Sequence, residues 1–345
     1  MGDFLRELAE NSIRSTIKGM LEEGVPEEEI VKRIENRTEP AVEAMLKEAV
    51  KDMSNFMHEH MYEAARELEA QDAEFLAHQE QKWGKCFVAS RTMYILATES
   101  AQLFSEYVAE EITGTDFQEK QFTFLALQHI HGRACQEFLE ILTLMKEGFA
   151  DGAYARWRSM YELCCIADFI KDHGELIAKQ YYDHSEIEGR SYDWAKGVND
   201  NDGKPVKSFA QVQKMSNVDQ KWKDQYDLGC LVTHASPQGT FGRMANGCST
   251  GMIPVGRSDY GITTPAEHSA IALSWVTSIY LSLFPSLDSA AHIGVLNNWV
   301  DIIRELYFST HDVVFQELIE DGTIKPLWDE KTDEEKRIPE STPDC

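Results

Sequence analysis

The chain has 345 residues, 43% of them hydrophobic, with 59 acidic against 33 basic side chains and a formal net charge of −26. That hydrophobic fraction excludes a disordered chain, and the length supports one large or two smaller helical domains. The acidic excess disfavours a nucleic-acid-binding surface and an anionic membrane, and it suits a basic partner.

Helical periodicity dominates from the start. A first helix is predicted from Phe4 to Glu23, ending at Gly24, and Pro26 with acids behind it starts a second. Thr38-Glu39-Pro40 predicts a break. A long helix then carries Leu46, Val50, Met53, Met57, Met61 and Leu68 as an apolar stripe, running towards Gly84. Residues 1–80 hold 20 acids against 9 Arg or Lys, so the opposite face is acidic. Residues 1–84 read as an extended helical arm for packing, dimerisation or a protein partner.

Two helices, Phe87 to Ile112 and Phe117 to Lys146, are expected next, joined by a turn at Gly114. Ala153 to Lys171 (AYARWRSMYELCCIADFIK) is apolar nearly all round and so belongs in a core, with Gly174 closing it. Glu175 to Glu188 continues as an aromatic, charged helix, residues 196–207 as a surface loop and 208–233 as a weaker helical stretch. Residues 234–265 hold six glycines and three prolines, the composition of a functional or mobile loop. Thr264-Pro265-Ala266-Glu267 reads as a capping box opening helix 266–283, and helix 287–319 follows. Residues 85–320 form the core domain and 321–345 an acidic tail. No strand pattern is present, so the fold class is all-α.

Cys86, Cys135, Cys164, Cys165, Cys230, Cys248 and Cys345 form an odd, scattered set without CxxC, which points to a reducing compartment and no zinc site. The first residues lack the apolar region of a signal peptide, and no apolar run reaches the roughly 18 residues of a span, so a cytoplasmic protein is expected. No cofactor motif occurs: GxxxxGK[ST] and strand-linked GxGxxG are both absent. His129 and His131 are two apart and face different sides of a helix, and Glu-x-x-His is missing, so no metal is expected.

Two segments carry chemistry. Arg158 and Glu162 lie four apart on the apolar helix, where a charged pair is costly unless its members satisfy each other or act. Either Arg158 binds an anionic group while Glu162 orients it, or the pair ties the helix to its neighbours. His234 and Ser236 stand at the mouth of the glycine-rich loop. Either they serve as general acid/base and hydrogen-bond partner, or they end a helix and start a turn. The tyrosines Tyr181 and Tyr182 fit base stacking less well than core packing, because acids interleave. Arg304-x6-His311 also occurs, a spacing expected about once by chance in this composition.

Gly152-x-x-Ala-Arg-Trp-Arg158-Ser-x-Tyr-Glu162, then Tyr181-Tyr182-Asp-His, then Tyr226 with Thr-His234-Ala-Ser236, resembles a family of bacterial domains of unknown function across roughly residues 80–310. That family is similar in layout to HEPN helical domains, many of which are ribonucleases or nucleotide-handling partners in toxin and phage-defence systems. The resemblance implies a multi-helix HEPN-like bundle, commonly a homodimer, acting on RNA or a nucleotide. Arg158, Glu162 and His234 would be its catalytic residues, and Ser236 and Tyr182 would bind. HEPN nucleases place an Arg, then four to six residues, then the His, and here positions 227 to 229 are Asp-Leu-Gly. The other reading is a non-catalytic helical scaffold that binds a basic protein.

Overall fold

The computed structural model describes residues 2–112, 114–187, 191–218, 221–234 and 256–320, together with 237 and 240. Among them the structure is all-α, with a lone bridge between Asn199 and Pro205 in place of any strand. The chain forms two compact units, Met1–Glu74 and Phe75–Cys345.

In the first unit, α1 (Gly2–Glu22) ends at Gly24, whose φ of 76° is the left-handed conformation glycine tolerates. The Val25 N–H reaches back to the Met20 carbonyl at 3.1 Å and the Gly24 N–H to Leu21 at 3.1 Å, which satisfies the last carbonyls of α1. Pro26 then opens α2 (Glu27–Glu111), with Glu27, Glu28 and Glu29 in the positive first turn. Met20 and Ile30 are buried on either side of this turn.

α2 corrects two expectations. The helix runs through Thr38-Glu39-Pro40 and through Gly84 without interruption. A helical proline costs about 3 kcal/mol, a local cost that a helix of 85 residues carries across one turn. At Gly84 packing decides: Trp83, Cys86 and Phe87 on the adjacent turns are buried.

In the second unit, α4 (Gln121–Lys146), α5 (Ala150–His173), α9 (Thr263–Leu281) and α10 (Leu287–Glu320) pack with the later turns of α2 around one core. The short helices are α3 (Thr115–Gln118), α6 (Glu175–Asp183), α7 (Phe209–Met215) and α8 (Lys221–Thr233). Specific bonds fix the packing. The Trp299 indole N–H donates to the Ala89 carbonyl at 2.9 Å, and the hydroxyls of Ser90 and Tyr307 meet at 3.0 Å. The first residue of α6, Glu175, caps α4: its carboxylate accepts the Phe122 and Thr123 N–H groups at 2.7 and 3.0 Å. Gly148 turns between α4 and α5 at φ 76°, and a Cβ there would stand 2.6 Å from the Phe75 ring and 2.9 Å from the Ser258 nitrogen.

Gly174 closes α5 as read from the sequence, and residues 196–207 form a turn in which Asp200 accepts the N–H groups of Asp202 and Lys204 at 3.0 and 2.9 Å. The expected capping box does not form. α9 begins at Thr263 without a side-chain cap, and Glu267 instead pairs with Arg304 on α10 at 2.6 Å. That pair spends Arg304, the first residue of the chance Arg-x6-His match.

Candidate functional site on helices α5 and α8

α5 lies at the centre of the second unit, against α4, α9 and α6 to α8. Its buried face is set by Ala153, Trp157, Met160 and Cys164, three and four apart. Arg158 and Glu162 stand at the margin of that face, where α8 crosses. α8 lies close to α5 at Gly229, whose Cβ position is 3.5 Å from Arg158 Cβ and 3.8 Å from the Tyr154 and Trp157 rings, ordinary packing distances. The Tyr154 hydroxyl anchors α8 by donating to the Gln225 carbonyl at 2.9 Å.

Tyr226 and Cys230, four apart on α8, face Arg158 and Glu162, four apart on α5. Arg158 Nε–H donates to the Cys230 sulfur at 3.1 Å, and Arg158 Nη2–H donates to the Tyr226 hydroxyl at 3.0 Å. The Tyr226 O–H donates in turn to Glu162 Oε1 at 2.9 Å, the same oxygen that Arg158 Nη2 approaches at 2.9 Å. The guanidinium also lies 5.1 Å over the Tyr226 ring. Burial works against the Arg158 charge, but Cys230, Glu162 and Tyr226 outweigh it and hold its pKa above the ordinary value. Burial, then the Glu162 charge, pushes the Tyr226 phenol up, so it stays a donor near neutral pH.

The four side chains form a mutually satisfied network that is not sealed, since Arg158 and Glu162 keep 19% and 22% of their side-chain surface. Arg158 Nη1 has no hydrogen-bond partner among the described residues. The arrangement can therefore receive one anionic or carbonyl group at Nη1, while Tyr226 and Glu162 hold the guanidinium plane in position.

The other site candidates stand elsewhere. His234 is exposed one turn beyond Cys230, its backbone N–H bonded to the Cys230 carbonyl at 3.0 Å. Its ring touches neither Arg158 nor Glu162 among the described residues. Tyr182, on α6, is 47% exposed and packs its ring 5.7 Å from Phe122, outside the α5–α8 network. Ser236 and most of the loop 234–265 lie outside the described residues. Among the described residues no three His, Cys, Asp or Glu side chains are grouped as metal ligands.

Sequence reading missed a second polar cluster. Glu137 on α4 is 1% exposed, and its Oε1 collects Arg133 Nε at 2.8 Å, the Ser159 hydroxyl at 3.0 Å and Arg156 at 3.3 Å. Its Oε2 has no partner, and burial pushes its pKa up against the pull of the two arginines. Arg156, two residues before Arg158, was the available signal, a second charge on an apolar helix.

Residues 124–202 match the model of a family described as Family of unknown function (DUF5677). The match takes in Arg158, Glu162 and the Tyr181-Tyr182 pair and ends before Tyr226 and His234. No curated protein and no solved structure matches the chain.

Proposed function

We propose that the protein is a helical interaction protein whose arm docks a basic amphipathic helix of a partner. One observation carries this reading. The apolar stripe of α2 is uncovered, with Val50 60%, Phe56 57% and Leu68 60% exposed and Leu46, Met53, Met57 and Met61 exposed among them. A run of this size on one helix face marks an interaction surface. Four of its side chains, counting Met45, are unbranched methionines, which adapt to varied partners. Residues 43–74 carry nine acids against three Lys or Arg around it. A second copy would bring acid against acid, whereas a basic helix would bury its apolar face and neutralise the rim.

The test is titration of a Lys/Leu amphipathic peptide into the protein and into Met53→Glu/Met57→Glu. Micromolar binding that weakens with salt and falls at least about tenfold in the variant is expected, since two buried apolar contacts are replaced by charges. Both positions are exposed, so the variant should fold. Equal binding by both proteins would refute the reading. So would a wild-type dimer that the variant converts to a monomer, which would make the occupant a second copy.

A second reading follows from the Nη1 donors of Arg158. A HEPN-like protein acting on RNA or a nucleotide would hold phosphate at Arg158, with Glu162 positioning it, and exchange a proton at His234 on the continuation of the same helix as Tyr226 and Cys230. Total cellular RNA incubated with the wild type should then be cleaved, and with His234→Ala left intact. Cleavage by both would place the chemistry elsewhere, and cleavage by neither would remove RNA as the substrate.

A further inference from the structure

A groove of about 520 Å³ runs along α9 in the second unit, within the size range of small-molecule sites. It has α9 as its floor and α5 and α10 as its walls. The bonds between helices fix their order. Trp157 pairs with His268 and Lys171 with Ser282, so α5 and α9 run parallel; Ser274 pairs with Asn297 and Glu267 with Arg304, so α10 runs antiparallel to α9. Along the groove this places Ile271 and Val300 at one end, Trp275 and Asn297 in the middle, and Ser278, Ser282 and Lys171 at the other. The groove is thus graded, apolar at one end and charged at the other, where the exposed Lys171 stands one turn from the mostly buried Asp168, with an indole between.

Its polar groups are mostly unspent donors. Lys171 Nζ gives one hydrogen to the Ser282 hydroxyl at 2.8 Å and keeps two. Asn297 accepts from the Ser274 hydroxyl at 2.9 Å through Oδ1, which leaves its amide N–H groups to donate. The Ser278 hydroxyl is buried without a partner, and the Trp275 indole N–H has none among the described residues. The one charged acceptor of the lining, Asp168, is 7% exposed and turns Oδ2 to the Asn217 backbone N–H at 2.6 Å. An excess of donors calls for an acceptor-rich ligand. A single lysine without arginine or helix N-terminus suits one negative charge better than a phosphate dianion.

We propose that the groove along α9 binds a small organic monocarboxylate, its flat apolar body lying on Trp275 and Ile271 and its carboxylate held by Lys171. The groove shares no lining residue with the Arg158 network, and it does not depend on either functional reading.

The probes are indole-3-acetate and its neutral amide. Each is titrated into the ¹⁵N-labelled full chain while the Trp275 indole N–H cross-peak, identified by its loss in Trp275→Phe, is followed. The acid is expected to move this peak saturably and to bind about tenfold tighter than the amide, the worth of one charge-assisted hydrogen bond. Lys171→Met, at an exposed position, should bring the acid down to the affinity of the amide and leave the amide unchanged. Ser278→Leu should fill the groove and abolish both. Equal affinities for acid and amide in the wild type, an acid affinity untouched by Lys171→Met, or an unmoved Trp275 peak at about 10 mM acid would each overturn the assignment.

Discussion

Lowering the pH from 6.5 to 4 is expected to remove about 6 kcal/mol of stability through two buried histidines, about 3 from each. His131 on α4 and His268 on α9 are buried, and desolvation pulls both from 6.5 down to about 4. His131 meets the Thr277 hydroxyl at 3.1 Å, Cys135 and the Tyr280 ring; His268 lies among the Tyr154, Trp157 and Trp222 rings with Nδ1 unpartnered. Among the described residues no carboxylate reaches either ring. In the unfolded chain both imidazoles take up a proton below about 6.5, whereas in the fold both stay neutral until about 4. The unfolded state therefore binds more protons in that window, so stability is complete above pH 6.5 and lost as pH falls to 4. Glu137 and Asp168, held above the ordinary carboxylate range by burial, act in the opposite sense, which is why the comparison must be with variants. Urea unfolding at pH 7, 6, 5 and 4 should show the loss roughly halved in His131→Gln and in His268→Phe, and nearly gone in the double variant. An undiminished loss in the double variant would assign the acid sensitivity to other groups.

The helices were legible because their apolar residues repeat every three to four positions, and Gly24 and Gly174 end helices where glycine tolerates the turn. Where local rules failed, packing or the continuity of a long helix overrode them. Pro40 and Gly84 read as breaks, but an 85-residue helix carries them, and Glu267 read as a cap but found Arg304 on another helix. The site was half legible. Arg158 and Glu162 stand out because charge is rare on an apolar face. Their partners Tyr226 and Cys230 do not, because a tyrosine and a cysteine on a helix look like core, and only the crossing of α8 over α5 shows what they do. The exposure of the arm stripe was not readable either: periodicity shows that a face is apolar, not what covers it.

Trp157→Ala is expected to destabilise the second unit by about 3–5 kcal/mol, the range for emptying a large aromatic site in a close-packed core. Trp157 is 1% exposed. Its ring stacks on Tyr154 at 5.1 Å with 12° between planes, touches His268 and Trp222 at 4.8 and 6.4 Å, and its N–H donates to the His268 carbonyl at 3.1 Å. These neighbours come from α5, α8 and α9, so no single element can move inward to fill the void, and the upper part of the range applies. The urea midpoint should fall with the slope unchanged, because the surface exposed on unfolding is nearly the same. The same substitution also reaches the pH response. With the indole gone, water gains access to His268, its desolvation is relieved, and its pKa returns towards 6.5. The acid loss in Trp157→Ala should therefore shrink by about 3 kcal/mol although no titratable group has been removed. In a cycle with His268→Phe the two substitutions should then fail to add by at least about 0.5 kcal/mol, as contacting residues do. Strict additivity, with the acid loss of Trp157→Ala equal to that of the wild type, would mean that His268 is kept neutral by something other than the tryptophan wall.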